Sequence, residues 1–119
     1  VQPNPREVWL EPSFIGVQSL ISNAIILLER RNAASARLVI EDLSRQGRFT
    51  YEIHLELLRM WLTILEGDLG LANSIGKGLR ADSRVQRNVR VFLTLERLEN
   101  RRITASWQSL RAQVDGLAP

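Results

Sequence analysis

The chain has 119 residues, a formal net charge of +3 and no cysteine. This length is typical of one domain, and the lack of cysteine excludes disulfides and thiolate chemistry while fitting either the cytoplasm or the periplasm. Of the 16 basic residues, 15 are arginine. That bias reflects either a GC-rich genome, which favours arginine codons, or selection for bidentate hydrogen bonds to carboxylate or phosphate.

The N-terminal segment, residues 1–12, is predicted to form an arm ahead of the domain. The longest uncharged run, residues 12–28, is 17 residues long and contains polar side chains, among them Gln18, Ser19, Ser22 and Asn23. A membrane-spanning helix needs about 20 predominantly apolar residues. We therefore expect no membrane insertion.

Apolar residues recur with helical spacing through the rest of the chain, and no strand-like alternation appears. A short Leu-Glu motif recurs at Leu28-Glu29-Arg30, Leu65-Glu66-Gly67 and Leu98-Glu99-Asn100, and its glutamates are 37 and then 33 residues apart. Repeats of this length are typical of stacked helical hairpins. We predict an all-α fold in which residues 13–119 form a single helical-repeat domain of three antiparallel hairpins. The hairpins are predicted at about residues 13–46, 50–80 and 83–116, from helices at about 13–30, 33–45, 51–66, 69–80, 83–99 and 102–116.

Predicted helix three has the most apolar surface of the six. Its polar residues form one narrow line at steps of 4, 3, 4 and 3, namely Glu52, Glu56, Arg59, Thr63 and Glu66. A helix this apolar must be covered on about two-thirds of its circumference. It is therefore predicted to lie between two neighbouring hairpins.

The last two predicted helices each have an inward apolar face. Helix five is expected to bury Val85, Val89, Phe92 and Leu95. Helix six is expected to bury Trp107, Leu110, Val114 and Leu117. These two faces would form the core of the third hairpin.

The string EGDLGLANSIGKGLRA, from Glu66 to Ala81, resembles the second half of a tetratricopeptide repeat. Gly67-Asp68 matches the turn of that family and Ala72 its small packing residue, with Ala36 and Ala105 in the same role. The resemblance implies a right-handed stack of hairpins whose concave face binds peptides or protein segments. In that family the odd-numbered helices line the concave face. The partner-binding residues implied here are Gln18, Ser22, Asn23, Glu52, Glu56, Arg59 and Thr63, with arginines of helix five.

The first three of these belong to an uncharged stripe on predicted helix one. A solvent-facing surface usually carries charges, so the stripe either packs against another helix or forms part of a binding face.

The sequence offers little for catalysis. His54, the only histidine, lies on an apolar helix face, where a buried core role is commoner than a role as ligand or base. With one histidine and no cysteine, a nitrogen-and-sulfur zinc site is excluded. We predict no enzyme activity, no metal site and no cofactor.

Six arginines are predicted to share one sector along helix five and its flanks, namely Arg80, Arg84, Arg87, Arg90, Arg97 and Arg101. We term this set the arginine ridge. It is a solvated face paired with acids from elsewhere in the fold, a dock for an acidic protein segment, or a contact for the phosphates of nucleic acid. The sequence does not choose between these.

The first functional hypothesis is a non-enzymatic protein-binding module that holds a peptide or protein segment on a concave face. It would act as an adaptor or scaffold in a larger, bacterial assembly. The alternative is a sequence-independent nucleic-acid-binding domain that uses the arginine ridge. Self-association through a terminal hairpin is compatible with either, because predicted helix six has few polar residues to cover the end of a stack.

Overall fold

The computed structural model describes residues 15–45 and 52–117, and the predicted N-terminal arm lies outside them. The prediction of an all-α fold is confirmed, since the described residues contain no strand. Their helices are α1 (Ile15–Glu29), α2 (Ala33–Arg45), α3 (Glu52–Leu65), α4 (Leu69–Ala81), α5 (Ser83–Gln86) and α6 (Val89–Leu117).

The first four helices form two hairpins, α1 with α2 and α3 with α4. In the first hairpin, the Arg31 N–H donates to Leu28 O at 3.0 Å and the Asn32 N–H to Leu27 O at 2.9 Å. Arg31 has φ +59°. This pair of bonds around a left-handed residue ends a helix and satisfies its last carbonyls. Asn32 then starts α2, because its side-chain oxygen accepts from the Ser35 N–H at 3.2 Å.

The second hairpin turns in the same way, 36 residues later. Gly67 has φ +80°, its N–H donates to Ile64 O at 3.1 Å, and the Asp68 N–H donates to Thr63 O at 2.9 Å. The Asp68 carboxylate accepts from the Leu71 N–H at 3.3 Å and so caps α4. Two turns of one geometry therefore serve two pairs of helices.

The alanines predicted to pack at the start of each second helix are at equivalent positions in the first two units. Ala36 and Ala72 lie four residues after the caps Asn32 and Asp68, and both alanines are 0% exposed. The first turn of α2 and of α4 can therefore approach its neighbour closely.

Helix α3 is the centre of the core, as predicted. It packs against α1, α2, α4 and α6. Its side chains Leu57, Leu58 and Met60 are each no more than 1% exposed. Gly76 of α4 meets it closely: a Cβ at that position would lie 2.9 Å from Cε of Met60. Of the glycines in α4, Gly76 thus has a packing role.

The third predicted hairpin is wrong. Residues 89–117 form one continuous helix of 29 residues, so no turn separates predicted helices five and six. The chain instead breaks at Arg87-Asn88, after the single turn α5. Asn88 caps α6, since its side-chain oxygen accepts from the Val91 N–H at 3.2 Å.

The reason lies in the capping residue. Asn32 and Asp68 cap the two turns that form, and the position four residues before Ala105 is Arg101. An arginine side chain has no hydrogen-bond acceptor and cannot cap a helix start. The helix therefore continues through Asn100-Arg101.

The break at Arg87-Asn88 also changes which residues of predicted helix five face the core. Val85 and Leu95 are buried and Phe92 is half-buried, as expected, but Val89 is 71% exposed because the break at Arg87-Asn88 turns Val91 inward instead.

The expected burial in predicted helix six is also wrong. Trp107 is 67% exposed, Leu110 49%, Val114 58% and Leu117 84%. Without a third hairpin, no partner helix covers these side chains in the described part of the chain.

We predict opposite effects of exchanging residue types at the two left-handed positions. A non-glycine residue there costs about 1–2 kcal/mol, and added glycine costs about 0.5–1 kcal/mol of backbone entropy. Arg31→Gly should therefore raise the free energy of unfolding by about 0.5–1 kcal/mol.

Gly67→Ala is the matched control and should lower the free energy of unfolding by a similar amount. A Cβ there meets nothing within 4 Å, so backbone strain is its only source of destabilisation. Urea denaturation measures both variants. If both variants changed the free energy of unfolding in the same direction, the shared turn geometry would be contradicted.

Candidate functional site

An open groove of about 660 Å³ lies between α2, α3 and α4, and we term it the central groove. Charged side chains and an apolar wall both contribute to its surface. Its lining residues are Arg37, Ile40, Glu41, Ser44, Arg45, Glu56, Arg59, Leu62, Thr63, Leu71 and Ile75. It thus gathers three of the predicted partner-binding residues, Glu56, Arg59 and Thr63.

Arg59 is the central charge of this groove. Its guanidinium donates to Glu56 Oε1 at 3.0 Å, one turn earlier on α3, and to Ser44 Oγ of α2 at 3.1 Å. The Arg59 side chain remains 43% exposed. Glu56 and Arg59 of the polar line therefore face α2, and the Arg59 guanidinium can exchange these partners for an incoming carboxylate.

Thr63 differs from the other members of the line. It is 5% exposed, and its hydroxyl donates to Met60 O at 2.8 Å within α3. That donor is satisfied inside the helix, so Thr63 contributes shape to the groove rather than a free polar group.

The α2 side of the groove is formed by residues that the sequence analysis did not single out. Arg37 Nε donates to Glu66 Oε2 at 2.9 Å, and its Nη1 lies 3.8 Å from Glu41 Oε1. The hydrogen bond to Glu66 raises the pKa of the Arg37 guanidinium. A signal was present: Arg37, Glu41 and Ser44 follow steps of 4 and 3, as the polar line of α3 does. Two such lines on neighbouring helices predict a polar groove between them.

Apolar side chains complete the groove on its α4 side. Leu71 of α4 is 49% exposed, and Ile75, one turn later, is half-buried. Leu62 of α3 and Ile40 of α2 lie below them and are buried. The groove therefore combines a half-exposed leucine and buried apolar side chains with partly exposed arginines.

The other predicted partner-binding residues lie elsewhere. Glu52, at the start of α3, lines a smaller groove of about 390 Å³ with residues of α4 and α5. On α1, Gln18 and Ser22 are half-buried and Asn23 is exposed. These three do not line the central groove, so the α1 residues and the α3 residues form no single surface there.

The arginine ridge is partly neutralised by carboxylates. Arg80 Nε donates to Glu99 Oε1 at 3.2 Å, its Nη2 also bonds Glu99, and its guanidinium carbon lies 5.4 Å from the centroid of the Phe92 ring. Donating these hydrogen bonds to the Glu99 carboxylate raises the pKa of Arg80. Arg80 thus joins α4 to α6.

Arg84 has two acidic partners. Its Nη2 donates to Asp82 Oδ2 at 2.8 Å and its Nη1 to Glu52 Oε2 at 3.4 Å. The same Asp82 accepts from the Arg84 backbone N–H at 2.8 Å and so caps α5. Hydrogen bonding to Asp82, and less to Glu52, raises the pKa of Arg84.

The remaining ridge arginines divide into two groups. The Arg101 guanidinium lies 4.9 Å from the centroid of the buried Trp61 ring, a cation–π contact that holds α6 on α3. Arg87, Arg90 and Arg97 are exposed. Among the described residues no carboxylate forms a salt bridge with these three.

The chain's only histidine is buried within the core helix. His54 is 7% exposed, as its position on the apolar face of α3 predicts. Within residues 15–45 and 52–117, no three side chains of the metal-ligating types His, Cys, Asp and Glu cluster as a metal site requires. No helix in these ranges is both long and apolar enough to span a bilayer.

The Arg84 contacts predict a pH dependence of stability. Hydrogen bonds from Arg84 lower the pKa of the Asp82 carboxyl. A carboxyl whose pKa is lower in the folded state stabilises the fold above its unfolded pKa, and this contribution is lost as pH falls through the folded pKa. Asp82→Asn keeps a capping oxygen and removes the charge. It should therefore reduce stability at neutral pH. The difference from the original chain should shrink as pH falls below about 3.9, the ordinary pKa of an Asp carboxyl, and disappear once the folded carboxyl is protonated.

Urea denaturation between acidic and neutral pH measures this difference. In an Arg84→Gln background, the effect of Asp82→Asn should be smaller, because the hydrogen bonds from the guanidinium are gone and only those from backbone N–H groups remain. An equal effect in both backgrounds would show that Arg84 is not the cause.

Comparison of the chain with protein-family models, with curated proteins and with solved structures gives no match. The functional assignment therefore depends on the chemistry of the central groove, the arginine ridge and the exposed surface of α6.

Proposed function

We propose that this protein is a non-enzymatic protein-binding module that acts as an adaptor or scaffold in a larger assembly. The segment it binds lies in the central groove. The observation that carries this proposal is the combination, in one open groove, of an exchangeable arginine, Arg59, with a half-exposed leucine, Leu71, above a buried apolar floor.

The chemistry of the groove defines the segment it would hold. Three arginines line it, Arg37, Arg45 and Arg59, with side chains 49%, 70% and 43% exposed, against the two carboxylates Glu41 and Glu56. Arginine and apolar side chains are enriched at the centre of protein interfaces. A short segment with one large apolar residue flanked by Asp or Glu complements this surface.

The tetratricopeptide resemblance supports the same class of function. In this proposal the hairpins α1–α2 and α3–α4 are two tetratricopeptide-like units, with the same turn bonds and buried alanines 36 residues apart. Helix α6 takes the place of a third unit. The central groove uses α2 as well as α3, so binding would not be limited to the odd-numbered helices of that family.

A non-enzymatic role is favoured by the position of the chain's one imidazole. His54 is buried, so it would not reach a substrate as general base or nucleophile. The chain also has no cysteine to take the nucleophilic role.

Peptides selected from a random displayed library against the intact protein test the groove. We expect selected peptides to contain an apolar residue next to Asp or Glu. Arg59→Glu and Leu71→Glu should each weaken their binding at least tenfold, about 1.4 kcal/mol, because each removes a central contact. Isothermal titration measures the affinity, and circular dichroism checks that each variant keeps its helix content.

Leu38→Glu is the matched control, because Leu38 is an exposed leucine of α2 that lies outside the groove lining. It should leave peptide affinity unchanged. Peptides that bind the two groove variants as tightly as the original chain would overturn the placement.

Nucleic-acid binding through the arginine ridge is a second candidate, favoured by the exposed Arg87, Arg90 and Arg97. Because Arg80, Arg84 and Arg101 already hold protein partners, the ridge offers three arginines rather than six. The logarithm of affinity falls by about 0.9 per phosphate contact for each tenfold rise in salt. Three contacts predict a loss of about 40-fold between about 50 and 200 mM salt, against more than about 1,000-fold for six.

Fluorescence polarisation with labelled single- and double-stranded nucleic acid measures this slope. If the ridge binds phosphate, reversing Arg87, Arg90 and Arg97 to glutamate should abolish binding. No binding at low salt, or binding that survives the triple reversal, would exclude this use of the ridge.

A further inference from the structure

The C-terminal half of α6 carries a continuous apolar stripe on its exposed surface. The stripe consists of Ile103, Trp107, Leu110, Val114 and Leu117, which are 44%, 67%, 49%, 58% and 84% exposed. Every residue from 106 to 117 is exposed. This half of the helix therefore extends past the packed body, and nothing in the described part of the chain covers the stripe.

The sequence of α6 explains why the helix leaves the body. Its buried residues Val91, Leu95 and Leu98 face the core, and the same face continues through the half-buried Ala105 to Ser109. Beyond that point the inward face is small or polar and has no apolar side chain to bury. The large apolar residues lie instead on a different face, roughly a third of a turn around the helix, since each residue advances the helix by about 100°.

The spacing of the stripe is that of a helix-pairing seam. Its members follow steps of 4, 3, 4 and 3, the heptad pattern by which two helices pack side chains into each other. A helix that packs on a globular surface usually has a broader apolar face. A narrow seam of two heptads is therefore suited to a partner helix.

We propose that the stripe pairs with the same stripe of a second copy, so that the protein forms a two-fold symmetric dimer through α6. The exposed area of the five side chains is on the order of 600 Å², at the upper end of the largest apolar patch on ordinary monomers. Two such patches in contact remove on the order of 1,200 Å² from water, the lower limit for a specific protein interface.

The charges of this segment favour a second copy over other occupants. Between residues 103 and 117 the only charged side chains are Arg111 and Asp115, so the segment has no net charge. Two copies can approach without repulsion. An acidic peptide is a poorer match, because the segment offers it a single arginine. An anionic membrane surface is also a poorer match, because it binds helices whose polar face is rich in Lys and Arg.

Trp107 is the expected anchor of the interface. It is the largest side chain of the stripe and lies near its middle, and tryptophan is enriched among the residues that dominate binding energy. A dimer of this kind leaves both central grooves open, because no residue of the stripe lines that groove. The dimer would present two peptide sites at once and bind a two-site partner with higher avidity.

Sedimentation equilibrium of the intact chain tests the proposal. Over about 1 to 100 μM, the range that reports a micromolar dissociation constant, the mass should rise from the 13.6 kDa of one chain towards twice that value. The double variant Leu110→Arg with Val114→Arg should stay at the mass of one chain throughout. Both sites are exposed, so circular dichroism should show unchanged helix content.

Leu38→Arg is the matched control, since Leu38 is 66% exposed on a different helix. It should dimerise like the original chain. Dimers that persist in the double variant, or monomers of the original chain at all concentrations, would overturn the proposal. A monomer in which the fluorescence of Trp107, isolated by comparison with Trp107→Phe, is shielded from acrylamide would also overturn it. That result would assign the stripe to another segment of the same chain.

Discussion

The burial of α3 is the constraint on which the rest of the structure depends. Its apolar surface extends around most of its circumference, so α1, α2, α4 and α6 must all pack against it. Burying a side chain such as Leu57 or Leu58 contributes about 1.5–3 kcal/mol each relative to exposure. No single ion pair at the surface approaches that value. The middle of the narrow polar line on α3, Glu56, Arg59 and Thr63, faces a gap between helices, and this gap is the central groove.

The ion pairs between helices have a different role. Arg37 with Glu66, Arg80 with Glu99 and Arg84 with Glu52 each join two helices at an exposed edge. Exposed pairs of this kind contribute little to stability, because water and salt screen their attraction. Their effect is to fix the direction of side chains that would otherwise project freely. They also neutralise part of the positive charge of the arginine ridge. The central groove, by contrast, combines charged side chains with exposed apolar ones.

The sequence predicted the first four helices and the burial of α3, because apolar periodicity is strongest there and Gly67-Asp68 marks the second turn. It failed at α6 for a specific reason. The Leu-Glu motif at residues 98–99 resembles the earlier turns, but the residue in the capping position is Arg101, and periodicity does not report that difference. Of the central groove, only the side formed by α3 was predicted. The line on α3 was visible in the sequence, whereas its pairing with Arg37 and Glu41 depends on how α2 packs, which is set by contacts distant in the chain.

The replacement of a third hairpin by one long helix has two linked consequences. A stack of helical hairpins needs a last element with an apolar inner face and a polar outer face. The first half of α6 meets that need, with Val91, Leu95 and Leu98 buried and with Arg90 and Arg97 exposed. Beyond Leu98 the inner face of α6 has no large apolar residue to bury against the core. The helix nevertheless continues for two heptads with an apolar seam on another side. A cap alone does not require that seam, and the seam is the surface that the proposed dimer would bury.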